Sequence, residues 1–252
     1  MFGGVFMKTG KLLMFVVFTT VFAIFVYQII SLGSILLNNH SAMKEKEIQS
    51  LAPNEEGVVI RSGLPNSNQL VFSCNVDWGE EVLPDMLNVL KENDIKITFF
   101  VSGRWAENHP DLLKEMYQAG HEIQSHGYSH KLCSQNSVED IKEEILKTEQ
   151  VILDILGIKT NVFAPPSGDY DETTVELCRS MGYQMALWSA DTIDWREGST
   201  AEVIKGRVLK KNLNGAIVLM HPKEETVKAL PDLIEKIKAQ KIEIVPLYRL
   251  SH

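Results

Sequence analysis

Cysteine is scarce in this 252-residue chain: Cys74, Cys133 and Cys178 form no CxxC and no even framework. That excludes a disulfide-stapled scaffold and a zinc ribbon. Positive charge is also short, with 25 Lys and Arg against 33 Asp and Glu, a formal net charge of −8. No basic stripe interrupts that acidity, which argues against nucleic acid as a partner. The helical HExxH zinc-hydrolase signature is missing, and no internal repeat is visible. The apolar fraction, 44%, is that of an ordinary globular chain rather than a low-complexity one.

Acidic residues are absent from residues 1–37, where Lys8 and Lys11 carry the only charges. Residues 12–37 run without a charge for longer than the roughly 20 residues that cross a bilayer. A signal-peptide core is shorter and ends at a small-x-small cleavage site. The segment is therefore read as a transmembrane signal-anchor over 12–37, with 1–11 cytoplasmic by the positive-inside bias. The expected location is the cell membrane, single-pass, with the body extracytoplasmic, or secreted if the segment is cleaved. Residues 38–67 read as a polar linker in which Gly57-Val58-Val59-Ile60 forms a short strand, and 68–252 as the working domain.

From Leu70 onward short apolar runs alternate with amphipathic stretches. Strand-like runs are LVFSC (70–74), IKITFFV (95–101), HEI (121–123), NVFA (161–164), YQMALW (183–188), AIVLM (216–220) and IEIV (242–245). Helix-like stretches fall at 82–92, 111–119, 172–181, 200–213 and 227–240, the last with Pro231 marking its first turn. The clearest helix begins at Ser137, with Asp140 three residues on as in a capping box. Its apolar face is Val138, Ile141, Ile145, Ile152 and Ile155. Such alternation predicts βα units in a largely parallel sheet, either a barrel or a wound sheet. In both, working residues sit at the C-terminal ends of strands.

Those ends are where polar groups gather. CNVDWG closes the first run, SHGYSH the third, APPSG the fourth and MHP the sixth, while DTIDW follows the fifth. An Asp before a Gly-containing turn is usually a turn former, and an isolated H-x-x-x-H is more often chance than a ligand pair. At neighbouring strand ends, however, Asp77, His126 and His130 make a candidate set for one divalent ion. His221 alone would read as a core histidine bonded to backbone. Asp194, at another strand end, could orient it and favour its charged form, suiting it to donate a proton. Trp78 and Trp195 offer flat apolar faces to a sugar ring, or simply pack at the rim.

Taken in order, these motifs resemble the polysaccharide deacetylase family, carbohydrate esterase family 4 with its NodB homology domain, over roughly residues 68–250. Its first motif, usually TFDDG, corresponds to SCNVDWG at 73–79, and the WG there resembles a sporulation-associated branch. The second motif corresponds to SHGYSH, the third (usually RPPYG) to APPSG, the fourth to Asp194-Trp195 and the fifth to IVLMH. The resemblance implies a distorted (β/α)7-type barrel, here preceded by the single transmembrane helix. It implies a divalent metal, usually Zn2+, on Asp77, His126 and His130. The implied activity is hydrolytic removal of N-acetyl groups from amino sugars of a cell-envelope polysaccharide, peptidoglycan being the natural substrate outside a bacterial membrane. His221 held by Asp194 is the implied acid; Trp195, Trp78 and Pro166 are the implied substrate contacts.

Three positions depart from the family pattern. Counting back from Trp78-Gly79, Asn75 occupies the catalytic base position, and an amide cannot take a proton as a carboxylate does. Ala164 stands where the third motif has the Arg that orients that base, and Ser167 where it has Tyr or Phe. Joint loss of base and Arg is coherent, because an Arg left alone would be an uncompensated charge in a cleft. Three readings follow. Asp77 is the base, with the metal on the histidines and a group such as Glu80. Or Asp77 is a ligand, and the base is Glu80, Glu81 or the metal's own water. Or the site holds metal and glycan with little turnover, as a non-catalytic glycan-binding or envelope-assembly factor. Losing a general base forfeits about 10²- to 10⁴-fold, so the leading expectation is a metal-dependent deacetylase and the degenerate protein is its alternative.

Overall fold

The computed structural model describes residues 55–252 together with residues 28, 31, 33 and 34. The rest of the expected anchor at 12–37 and of the linker up to residue 54 lies outside the described residues. Among the described residues no helix is long and apolar enough to cross a membrane.

The strands, in chain order, are β1 (Val59–Ile60), β2 (Gln69–Val76), β3 (Thr98–Val101), β4 (Glu122–Ser125), β5 (Val162–Phe163), β6 (Gln184–Ala186), β7 (Ala190–Asp191), β8 (Ile217–Met220) and β9 (Glu243–Ile244). The helices are α1 (Leu83–Glu92), α2 (Gly103–Asn108), α3 (Pro110–Gln118), α4 (Val138–Leu156), α5 (Glu172–Met181), α6 (Ala201–Leu209) and α7 (Glu224–Ala239). The sheet runs β1-β6-β5-β4-β3-β2-β8-β7, with β9 paired to the start of β2. Every ladder in it is parallel. The short strand suggested at 57–60 is present, as an edge of this sheet.

Only Leu187–Ser189 separate β6 from β7, so one extended stretch leaves β5 and β1 and goes on to pair with β8. That change of partner carries the sheet round on itself. A single antiparallel bridge from Ser62 to Ala216 spans the remaining gap between the β1 and β8 sides. The expected barrel is thus a curled parallel sheet, distorted where β6 passes into β7.

The alternation along β2 sorts its side chains into two layers. Leu70, Phe72, Cys74 and Val76 share the outer core with Leu83 and Leu87 of α1 and Leu230 and Leu233 of α7. Val71 lies in the inner core with Phe100, Val162 and Ile217. Asn75 belongs to the inner register, and this parity brings it to the mouth of the barrel.

Three details differ from the sequence expectation. In α4 the Ser137 cap is as expected, its hydroxyl accepting from Asp140 N–H at 3.1 Å, but Val138 is exposed and Ile155 only half-buried. Pro231 lies inside α7 rather than in its first turn. Glu224 and Glu225 start that helix instead, where carboxylates suit the positive helix end. The third is α2, an additional helix too short to show a periodicity. Ser102 caps it by accepting from Trp105 N–H at 3.3 Å.

Candidate active site

The polar strand ends do converge. Asn75, Asp77, His126, His130, Ser167 and His221 border one cavity of about 440 Å3. Trp78, Trp188, Trp195 and Asp191 close most of the remaining wall.

Behind His221, and not itself on the cavity wall, stands Asp194, buried and fully engaged. His221 donates to it twice, from backbone N–H to Oδ2 and from ring Nδ1 to Oδ1, each at 2.7 Å. The Thr226 hydroxyl, in the first turn of α7, donates to Oδ2 at 2.7 Å. Burial pushes the Asp194 carboxyl up, but the bonds and charge of His221 and the Thr226 hydroxyl outweigh it and hold the group below its usual value. A carboxylate only accepts, so Nδ1 of His221 carries the hydrogen and Nε2 is left for proton exchange. The preceding residue, Ile193, sits at φ 51, a left-handed conformation rare for a β-branched residue. Its N–H donates to Asp191 Oδ1 at 2.7 Å, and its carbonyl accepts from Arg207 and from the Ser199 hydroxyl. That web holds the turn which aims Asp194.

On the opposite side the polar atoms are poorly served. Asn75 is 5% exposed, yet among the described residues its Oδ1 has no partner, and neither does the buried Oδ1 of Asp77. The other Asp77 oxygen accepts a long bond, 3.4 Å, from Arg104. Gly79 lets this loop lie against the His221 strand end, because a Cβ there would come within 2.6 Å of Pro222.

The histidine loop is anchored from below. Glu144, buried in α4, accepts from Ser129 N–H and from the Ser129 hydroxyl, both at 2.6 Å. His126 is 2% exposed, with Nδ1 2.8 Å from the Ala164 carbonyl. That contact makes Nδ1 the donor and puts the lone pair on Nε2. Burial, reinforced by His130, pushes His126 down to about 3, so it is neutral at any physiological pH. His130 takes φ 63 and sets its ring 5.1 Å from that of His126.

An unpartnered carboxylate oxygen, a neutral buried imidazole with a free Nε2 and a second imidazole form a donor set that suits a zinc-like ion in kind. In position, the fit is looser. No group of three or more His, Cys, Asp or Glu side chains among the described residues is gathered tightly enough to hold a metal.

Other predicted residues fall elsewhere. Pro166 is buried in the third-motif turn, and Ser167, at φ 58, takes the place on the cavity wall. Glu80 lies 3.9 Å from His109, and Glu81 borders a separate depression beside Lys223, so neither faces the cavity. Trp188, Asp191 and Glu144 escape a reading of the sequence. Trp188 ends the YQMALW run and Asp191 precedes Asp194 by three, which are weak signals; Glu144 lies in α4 and gives none. Burial pushes the Asp191 carboxyl above its usual range.

A curled parallel α/β barrel with this rim is of the carbohydrate deacetylase kind, and comparison makes the assignment specific. Residues 66–186 match the polysaccharide deacetylase family model. The peptidoglycan-N-acetylglucosamine deacetylase of Bacillus cereus is 30% identical over 191 residues, 74% of this chain and 69% of that protein. The uncharacterized protein YlxY of Bacillus subtilis is 34% identical over 213 residues, 80% of this chain; the alignment spans 65% of YlxY's length. The crystal structure of BA3943, a CE4 family pseudoenzyme from Bacillus anthracis, matches with a TM-score of 0.74 at 35% identity, covering 77% of this chain and 68% of that one. A BA3943 mutant with restored enzymatic activity matches at the same TM-score with 33% identity, covering 77% and 71%. This chain belongs to the polysaccharide deacetylase family, carbohydrate esterase family 4.

Proposed function

We propose that the protein binds an N-acetylated cell-envelope glycan, peptidoglycan foremost, in the 440 Å3 cavity, and that its acetamide hydrolysis is severely reduced for want of a base. The observation that carries this is Asn75, an amide in the base position whose buried oxygen has no partner, together with alanine at 164 in place of the orienting Arg. The B. cereus relative is a peptidoglycan deacetylase, and BA3943 is a pseudoenzyme of the same fold with a mutant of restored activity.

Deacetylation consumes water, breaks the C–N bond and releases acetate and an amine. One proton must leave the water and one must reach the departing nitrogen. His221 suits the second transfer, because Asp194 fixes its Nδ1–H at 2.7 Å and leaves Nε2 as the atom that delivers the proton. Asn75 cannot perform the first. Asp77, His126 and His130 are the residues that would hold a divalent ion, Zn2+ by family resemblance, and such an ion supplies a polarised carbonyl and an acidified water. Trp78 stacks on His221 at 5.8 Å between ring centroids, and the exposed face of Trp195 is available to a sugar ring. The uncharged run at 12–37 supports a single-pass anchor that leaves this domain on the outer side, where peptidoglycan lies.

The intact His221–Asp194 pair favours the second reading, an active envelope deacetylase. Acetate release from peptidoglycan by the full-length chain, with zinc added and glycan binding measured alongside, separates the two. Both the wild type and Asn75→Asp/Ala164→Arg bind glycan, and the double variant releases acetate about 10²- to 10⁴-fold faster. Wild-type release within about tenfold of the double variant establishes an active enzyme instead. Absence of glycan binding overturns both readings.

A further inference from the structure

A second cavity, about 610 Å3, opens beside the first and shares Trp188 and Asp191 with it. Its remaining charged wall is basic, formed by Arg207, Lys210 and Lys211. In a chain of net charge −8 this is a local reversal of sign, with Asp191 the only carboxylate among the described residues of the lining. Asp191 is partly spent, since its Oδ1 accepts from Ile193 N–H at 2.7 Å.

The three cations are differently held. Arg207 is fixed, its Nη1 donating to the Thr192 and Ile193 carbonyls and to the Ser199 hydroxyl. Lys210 and Lys211 follow α6, are exposed, and form no ion pair among the described residues. By contrast Lys205 on the same helix is paired with Glu202 and Asp232. Lysines at a helix C-terminus are explained in part by the helix dipole. The dipole does not explain why two lysines without an ion pair among the described residues and an anchored arginine border a hollow that shares Trp188 and Asp191 with the first cavity.

We infer that this second cavity is a subsite for an anionic substituent of the glycan, a carboxylate carried by the sugar next to the one whose N-acetyl group enters the first cavity. The ligand class is then an acidic amino-sugar polymer rather than a neutral one such as chitin. This rests on the glycan-binding reading above. Trp188, common to both walls, lies where the sugar chain passes from one cavity to the other, and the lysines meet the carboxylate at the open rim. Contacts between exposed charges are individually weak and screened by salt, so the effect is a preference rather than a switch.

The test is equilibrium binding of the full-length chain to a peptidoglycan tetrasaccharide with free lactyl carboxylates, beside the same oligosaccharide with those carboxyls reduced to alcohols. At low ionic strength the acidic form binds roughly fivefold to tenfold more tightly, and added salt removes the difference. Lys210→Ala/Lys211→Ala abolishes that preference and leaves affinity for the reduced form unchanged. Equal wild-type affinities for the two forms overturn the inference while glycan binding stands, and so does a lysine variant that weakens both forms alike. Binding of neither oligosaccharide overturns the glycan reading itself.

Discussion

The two sides of the cavity are buried to the same degree and satisfied to very different degrees. Asp194 and Asn75 are each 5% exposed. Asp194 accepts three short bonds from His221 and Thr226, while the side-chain oxygen of Asn75 accepts none among the described residues. A buried polar atom left unpaired costs about 1–3 kcal/mol, so the Asn75 side is held at a loss that the Asp194 side does not bear. The contrast teaches that the apolar core, not the reactive groups, maintains this cavity. β2 reaches the rim because Phe72, Cys74 and Val76 pack outward, whichever residue occupies position 75.

Repairing the poor side is the strongest way to break the contrast. Asn75→Asp alone raises acetate release at least about tenfold, and adding Ala164→Arg carries it toward the full 10²- to 10⁴-fold of a general base. Ala164→Arg alone places an unpaired guanidinium at a buried position and costs roughly 3 kcal/mol of stability. The four-corner cycle, read by acetate release and thermal melting, is therefore strongly non-additive. A single arginine variant as stable as the wild type would remove the pairing logic.

Damaging the good side is next. Asp194→Asn costs roughly 3 kcal/mol at neutral pH in urea unfolding, because His221 and Thr226 lose a charged acceptor. The folded Asp194 carboxyl lies below its usual 3.8. Its contribution is therefore complete above that value and disappears as pH falls through the lower folded value. The gap between wild type and variant accordingly narrows only in strong acid.

His121, away from the cavity, provides a control for burial without function. It accepts from Ile97 N–H at 3.2 Å, and burial, with Lys96 nearby, pushes it down to about 4. The fold favours its neutral form, so this stability is whole above pH 6.5 and is lost as pH falls from there toward about 4. His121→Asn should flatten the stability profile in that window by up to roughly 3 kcal/mol, measured by denaturation at several pH values.

The smallest effect on folding is expected at His130. At the proposed metal site, His130→Ala lowers divalent-metal binding in elemental analysis yet changes stability by less than about 0.5 kcal/mol, as a partly exposed side chain does. His126→Ala removes a proposed ligand too, but leaves the Ala164 carbonyl without its donor and costs roughly 1–3 kcal/mol. Position at a strand end alone would make the two histidines equally dispensable to folding; burial separates them.

Much of the site is legible in the sequence because it is local. Residues at consecutive strand ends need only the strand period and the βα alternation to be placed at one rim, and Asp77, His126, His130 and His221 reach one cavity that way, with Asp194 bonded behind His221. Pro166 is the exception, because a three-residue turn decides which of two neighbours faces inward, and the left-handed backbone at Ser167 reverses the expectation. Glu144 and Arg207 are invisible because each sits on a helix whose pattern reports only its own apolar face.

Residue type and order along the chain by themselves determined the parallel α/β class, the Asp and His side chains at the strand ends, the asparagine at 75 and alanine at 164, and the uncharged run near the N-terminus, since each depends on short-range periodicity or on the identity of one side chain. Tertiary structure alone decided which polar atoms are satisfied, that β6 and β7 form one stretch with two sets of partners, and that a basic hollow adjoins the first cavity. These depend on contacts between segments far apart in the chain, and no local pattern records which distant partner a side chain will meet.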